Sequence, residues 1–457
     1  MASFLAWGLP CCLISRHPGV AAGPGPDDGR PFTLSNDVLI CQVKYAAAIR
    51  EKLPCPLGMF ILNISWLRLF KSTWGMKKSM LRFLLLYLAI YPLVHYYAFR
   101  KIGLAFQPGK NAKRGIALFM AVMIAAPIMV RVAERAEIET GARFWAYASF
   151  SWMGLLFLFL TLSVAIDAGR FAVQATEKIL KHRLFQSTVS PRRFFTIQAM
   201  LVVAIYGYGI FEAMDIRLKQ IEIASPKIAE TSGKIRIAQI SDVHLGLIVR
   251  EGRLNRILAR IEEARPDILV STGDLLDGQL NHLGTEAAML AAIRPPLGKF
   301  AITGNHEFYA GLQDALDFTK KSGFTLLRDQ GVVAGGITVV GVDDPAVTLF
   351  DKNPARPEGD LLSAQPRENF TLLLKHRPDL DPESLGLFDL QLSGHTHKGQ
   401  IFPFNLLTWF LYPHKAGRLT RLTSGFLYPS PGTGTWGPPI RFLAPPEVTI
   451  IDLVPVK

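Results

Sequence analysis

Apolar and polar positions follow two different rhythms along this chain, and the change of rhythm divides it. Between residues 81 and 214 the apolar residues come in four long runs, 81–99, 115–130, 144–166 and 196–214. Each is about long enough to cross a hydrocarbon core of roughly 30 Å as a helix, which takes ~20 residues. Aromatic rings stand at the margins: Tyr96 and Tyr97, Phe144 and Trp145, Tyr206 and Tyr208. Such rings favour the headgroup level of a bilayer. The pattern predicts a helical membrane region of about four spans over residues 76–214. The competing reading, buried helices of a large soluble protein, fits poorly with four such runs separated by basic loops.

From residue 233 onward the apolar runs shorten, and most end in a polar cluster. Residues 234–240, 267–271, 299–303, 336–342, 370–374, 389–392 and 448–453 read as buried strands. Amphipathic stretches at 254–264 and 313–322 lie between some of them. That alternation predicts an α/β domain over residues 233–457, joined to the membrane region by a polar connector at 215–232. Residues 1–75 carry the weakest pattern, with a Gly- and Pro-rich loop at 16–31. They read as an N-terminal extension outside the native protein, with a biological start at Met59, Met76 or Met80.

Charge sharpens this division. The net charge is +13, yet residues 233–457 hold 23 Lys/Arg against 24 Asp/Glu, so the excess belongs to the first half. Basic residues beside apolar runs suit loops at an anionic membrane surface; a nucleic-acid groove would need them in the second half, and no nucleic-acid partner is expected. The loop between the first two runs carries Arg100, Lys101, Lys110, Lys113 and Arg114. The loop before the fourth carries Arg170, Lys178, Lys181, Arg183, Arg192 and Arg193. In the middle loop Glu134, Glu137 and Glu139 offset Arg131, Arg135 and Arg143. The positive-inside rule then puts the C-terminal domain on the outer face, although Lys77, Lys78 and Arg82 pull the other way. All four cysteines lie in the first 55 residues, so any metal in the second half must be held by oxygen and nitrogen.

The polar clusters carry the chemistry. The first strand ends in Ser241-Asp242-Val243-His244, the second in Thr272-Gly273-Asp274, the third in Thr303-Gly304-Asn305-His306-Glu307. Later come Lys375-His376-Arg377 and Ser393-Gly394-His395-Thr396-His397. Strand ends are where α/β proteins carry reactive groups. In an extended segment residues i and i+2 share a side, which pairs Asp242 with His244 and His395 with His397. Carboxylate, amide oxygen and imidazole without sulfur suit Mn, Fe, Zn or Co. Asp277, Asp343 and Asp344 read as turn-formers or supporting groups; His282 and His414 read as surface. Arg377 and Lys398 flank the clusters as candidates for a phosphate oxygen.

The ordered set Asp-x-His, Gly-Asp, Gly-Asn-His-Glu, His, Gly-His-x-His resembles the signature of the calcineurin-like metallophosphoesterase superfamily, over about 225 residues. With the preceding spans, the chain resembles its bacterial transmembrane members. The resemblance implies a four-layer fold, two central β-sheets flanked by helices. It implies a binuclear phosphoesterase with two divalent ions (Mn, Fe or Zn), one held by Asp242, His244 and His397, the other by Asn305, His376 and His395, with Asp274 between them. A hydroxide bridging the two ions would attack a phosphomonoester or phosphodiester. His306 would protonate the leaving oxygen, and Glu307 would orient that ring. The expected setting is a bacterial inner membrane, with the catalytic domain on the periplasmic face and a substrate that is lipid-linked or part of the envelope. The alternative is a non-catalytic membrane sensor or transport-associated protein with a metal-binding domain. Residues 401–413 are unusually apolar for a segment after a ligand loop; they read as core cover or as a lip resting on the membrane.

Overall fold

In the computed structural model of this chain, residues 78–183, 189–278, 282–350 and 356–456 are described. The extension over residues 1–75 and its cysteines lie outside them. The chain divides into two units between Tyr91 and Pro92, the second running to Lys457. The four apolar runs fall in four helices: α1 (Lys78–Phe106), α2 (Lys110–Arg135), α3 (Glu139–Leu180) and α4 (Pro191–Met214). Among the described residues, α2, α3 and α4 are long and apolar enough to cross a membrane. At the start of α4, Pro191 supplies a helical φ and the Ser190 hydroxyl accepts from the Arg193 amide at 3.4 Å.

Twelve strands follow, in two mixed six-stranded sheets. In chain order they are β1 (Arg217–Ser225), β2 (Ile235–Ile240), β3 (Ile268–Ser271), β4 (Lys299–Ala301), β5 (Thr325–Leu326), β6 (Gln330–Ala334), β7 (Ile337–Gly341), β8 (Phe370–Leu374), β9 (Leu390–Ser393), β10 (Thr420–Leu422), β11 (Gly425–Pro429) and β12 (Glu447–Pro455). The first sheet runs β1-β12-β2-β3-β4-β5 and the second β10-β11-β9-β8-β7-β6. The residues expected to be a connector at 215–232 contain β1, which pairs with β12 in parallel from Arg217–Glu447 to Ser225–Pro455. An edge strand that keeps Arg217, Lys219, Gln220 and Glu222 at the surface has too little apolar alternation to announce itself.

Alternation along the inner strands builds the layers. Ile235 and Ile237 point between the sheets, where Val270, Phe300, Val339, Leu372, Leu390 and Leu453 meet them. Their neighbours Ala238 and Ile240 face the other way, onto α5 (Glu251–Ala264), α6 (Gly284–Ala292) and α8 (Leu312–Lys321). The short helix α7 (Asn305–Ala310) precedes α8, and α9 (Glu358–Ser363) covers the second sheet with Leu361 and Leu362. In α5 the buried residues are Leu254, Ile257, Leu258, Ile261 and Ala264, a single stripe at helical spacing. The result is helix, sheet, sheet, helix, as expected.

The membrane helices of the second unit are packed onto this sandwich. At the α2–α3 hairpin, Val130, Ala142 and Ala146 cluster with Leu247. Tyr147 donates to the Ile248 carbonyl at 3.1 Å, and Glu139 pairs with Arg250. Further along, Leu158 and Val202 cluster with Ile401 and Ile440. Leu443 donates its amide to the buried Glu212 carboxylate at 2.9 Å. Glycine makes the approach possible: a Cβ at Gly209 would stand 3.1 Å from the Arg441 carbonyl and from Ile440. Gly209→Leu should therefore destabilise the α/β domain of the full chain by about 1–3 kcal/mol, seen as a lower melting temperature in detergent. An unchanged melting temperature would mean that helices and sheets do not share this contact.

Candidate metal centre

Five strand ends converge. β2, β3 and β4 deliver Asp242 and His244, Asp274, and Asn305 with His306; β8 and β9 deliver His376, and His395 with His397. Every one of these residues is at most 9% exposed. The pairs at i and i+2 do not meet through an extended backbone, as the sequence suggested. Asp242, His244, Asp274, His395 and His397 all have positive φ, between 47° and 71°. Left-handed backbone at non-glycine residues is costly, of order 1–3 kcal/mol each, and persists where surrounding structure enforces it for a function. It folds each strand end back over the sheet edge, which packs donors more tightly than a pleat would. Gly273, at φ 91°, completes the cage, because a Cβ there would stand 2.7 Å from His376 Nδ1 and from the Gly304 amide.

Two donor clusters share one carboxylate. In the first, His244 Nε2 lies 3.1 Å from His397 Nε2, and Asp242 Oδ1 lies 3.4 Å from His397 Nε2. In the second, His376 Nε2 lies 3.1 Å from His395 Nδ1. Asp274 Oδ2 stands between them, 3.2 Å from His376 Nε2 and 3.8 Å from His244 Nε2. Among the described residues three overlapping groups, Asp242–His244–His397, His244–Asp274–His306 and Asp274–His376–His395, could each hold a metal ion.

Hydrogen bonds fix the aim of three of these donors, His376, Asp242 and Asp274. His376 Nδ1 lies 2.8 Å from the Thr272 carbonyl, which keeps its proton there and leaves Nε2 for the cage. Asp242 accepts from the Ser241 hydroxyl at 2.6 Å and the His395 amide at 2.9 Å. Asp274 accepts the His306 amide at 2.8 Å. Burial pulls the His244 pKa down to about 3, with the neighbouring His306 adding to it, so that ring is neutral. Burial also holds His395 and His397 well below the usual range, and Arg441 helps at His397. His376 differs. Burial lowers it, but the Asp274 charge and hydrogen bond outweigh that and leave it raised to about 10.

The cage fits a cation on its own chemistry. His244 Nδ1 and Asn305 Oδ1 are buried without a hydrogen-bond partner. The facing nitrogens of His244 and His397, 3.1 Å apart, belong to rings that burial keeps neutral, so their lone pairs are available to a cation. An acceptor-rich, desolvated site of this kind is costly unless a positive ion fills it.

The structure redistributes the supporting roles. Glu307 does not reach the His306 ring. Its carboxylate accepts from the amides of Gly304 (2.7 Å), Asp274 (3.0 Å) and Leu276 (3.2 Å), tying the second and third strand ends together. It sits at the third position of α7, where a carboxylate caps the turn. The residue that orients His306 is Asp277, whose Oδ1 lies 3.1 Å from Nδ1. Asp344 forms a two-point pair with Arg377 at 2.7 and 2.9 Å, and Asp343 does the same with Arg328. His282 and His414 lie outside both clusters.

Two residues escaped the sequence reading. Arg441, fully buried, donates to the carbonyls of Pro431, Gly434 and Ala444 and stands 3.5 Å from His397 Nδ1. Trp436 stacks on His244, ring centroids 6.3 Å apart, and meets the His306 ring edge-on at 5.3 Å. Both come from a Gly- and Pro-rich stretch whose only signal was its turn composition. Gln400 pins that stretch through the Trp436 amide and carbonyl, both at 2.9 Å.

Residues 235–399 match the family model for calcineurin-like phosphoesterases. An uncharacterised metallophosphoesterase of Aquifex aeolicus is 37% identical over 255 residues, 55% of this chain and 97% of the relative. A transmembrane protein with a metallophosphoesterase domain from Danio rerio is 28% identical over 334 residues, 69% of this chain and 75% of the relative. Among solved structures, a 5′-nucleotidase precursor from Thermus thermophilus matches at 18% identity and a TM-score of 0.30, over 48% of this chain and 54% of that one. The family model, the two sequence relatives and the apolar helices agree: the chain belongs to the calcineurin-like phosphoesterases, metal-dependent hydrolases of phosphate esters, and is a membrane protein of that family.

Proposed function

We infer that this chain hydrolyses a phosphomonoester or phosphodiester at the surface of a bacterial inner membrane, with two divalent metal ions held in the cage. The observation that carries this reading is the placement of Asp274 Oδ2 between two histidine clusters, within 3.8 Å of both. Asp242, His244 and His397 would hold one ion, Asn305, His376 and His395 the other, and Asp274 would serve both. A bound pair of Mn, Fe or Zn ions supplies Lewis-acid charge that activates water and neutralises the phosphoryl oxygens.

The chain's own residues do the rest. His306 hydrogen-bonds to Asp277 through Nδ1, so its other nitrogen is free to give a proton to the leaving oxygen. Trp436 lies against both His244 and His306 and keeps bulk water from that side of the site. Glu307 and Arg441 hold the loops that aim the ligands. The positive-inside argument favours a periplasmic catalytic domain. A sensor with a metal-binding domain has less support. The His306–Asp277 pair is a proton-handling device, and ligand binding alone gives it no task.

Assays of the full chain in detergent with Mn²⁺ test this. His306→Ala should keep bound metal and lose about 10²–10⁴ in kcat on bis-p-nitrophenyl phosphate. Asp277→Ala, which spares every proposed ligand, should keep metal and lose a smaller part of the rate. Asp274→Asn should lose metal as well as rate. A His306→Ala variant with wild-type kcat would remove the proton-donor role, and an Asp274→Asn variant with full metal content would remove the shared ligand.

Metal uptake should also release protons. His376 carries one in the ion-free site at neutral pH, since its pKa stands at about 10, and a ligand imidazole must give it up. Loading at pH 7 should release about one proton, and affinity should fall as pH falls. Calorimetric titration in two buffers of different ionisation enthalpy measures the release, and His376→Ala should abolish it.

A further inference from the structure

The segment after the His397 turn is an exposed apolar helix. In α10 (Phe404–Leu411), Phe410 is 85% exposed, Trp409 55% and Leu406 54%, and of its eight residues only Thr408 is buried. The reading of this stretch as core cover is therefore overturned. Apolar surface of this kind normally has a partner, and its position says which. Ile401, three residues before the helix, packs with Leu158 of α3 and Val202 of α4. Nearby, a Cβ at Gly154 would stand 3.1 Å from Pro438. Gly154 lies about four turns into α3, roughly 22 Å from Glu139 along the axis. These contacts set the start of α10 beside the apolar surfaces of α3 and α4.

A cationic cavity continues from the other end of the helix. Its volume is about 320 Å³, and His414, Lys415, Arg418 and Arg421 are among its lining residues. Among the described residues, no ion pair neutralises Lys415, Arg418 or Arg421. Lys415 Nζ stands 4.5 Å over the Trp409 ring, which joins cavity to helix. Tyr412 connects both to the centre, with its ring 5.7 Å from that of His395. An apolar face, an aromatic ring and a cluster of unpaired cations in one segment are the ingredients of an element that lies along a membrane interface and attracts anionic lipid.

We propose that residues 404–421 rest in the bilayer interface, with α10 among the acyl chains and the cavity holding the phosphate of an anionic phospholipid headgroup. The metal centre then receives phosphoesters carried on lipid, a step that rests on the hydrolytic reading above.

The test uses the full chain in nanodiscs, with the Trp409 emission isolated by subtracting that of Trp409→Phe. Brominated phosphatidylcholine should quench it, and brominated phosphatidylglycerol should quench it more. Arg418→Gln with Arg421→Gln should lower that preference by roughly fivefold or more, while millimolar inorganic phosphate leaves it in place. Trp409 emission untouched by either lipid would overturn the interfacial helix. Equal quenching by both lipids, or a preference erased by free phosphate, would overturn the headgroup cavity. Turnover of bis-p-nitrophenyl phosphate with Mn²⁺ in the same samples separates the two readings. Turnover without quenching overturns the membrane element alone; quenching without turnover upholds that element and overturns the hydrolytic reading.

Discussion

The structure depends on a cage of desolvated ligands that is unfavourable until a cation completes it. Imidazole nitrogens of His244 and His397 face one another at 3.1 Å, an amide oxygen and a ring nitrogen lack partners, and five of the residues involved hold a left-handed backbone. Such an arrangement survives because the rest of the fold over-determines it. The strands beneath it are buried on both faces. Glu307 binds three backbone amides across two strand ends, and Arg441 binds three carbonyls behind His397. These two buried charges sit close to the cage without joining it, and each neutralises loop dipoles that would otherwise let the ligands relax apart.

The membrane helices extend the same logic. They meet the loops that frame the centre: 247–250 next to the first ligand pair, 401 after the last, and 438–443 beside Trp436 and Arg441. A helix that pins Leu443 through Glu212 and accepts the Arg441 amide through the Gly209 carbonyl is structurally continuous with the group that backs His397. Helices with such contacts do more than hold the domain at a surface. They fix which face of it packs against the apolar helices.

Much of this was legible in the residue order, for physical reasons. Buried strands need near-continuous apolar runs, and all seven that the sequence marked are present, because their pattern is set by burial on both faces. The convergence of these side chains was legible because independent capping roles would not place Asp, Asn and His in that order at the ends of successive buried strands. What failed depended on long-range geometry. β1 went unseen because an edge strand needs only a partner, and its partner β12 lies about 230 residues away. The ring-orienting role went to Glu307 by adjacency, whereas Asp277, about thirty residues earlier, makes the bond. Arg441 and Trp436 carry no local signal at all. The apolar stretch after His397 was visible, but whether it faced core or solvent is a tertiary fact.

The central claim is that one carboxylate, Asp274, stands between two metal ions. Electron paramagnetic resonance of the full chain loaded with Mn²⁺ addresses it without reference to any substrate. Two ions sharing Asp274 should give the spectrum of a spin-coupled pair, reverting to that of an isolated ion when one site is emptied by His376→Ala. A wild-type spectrum of isolated Mn²⁺ only, at saturating metal, would contradict that claim.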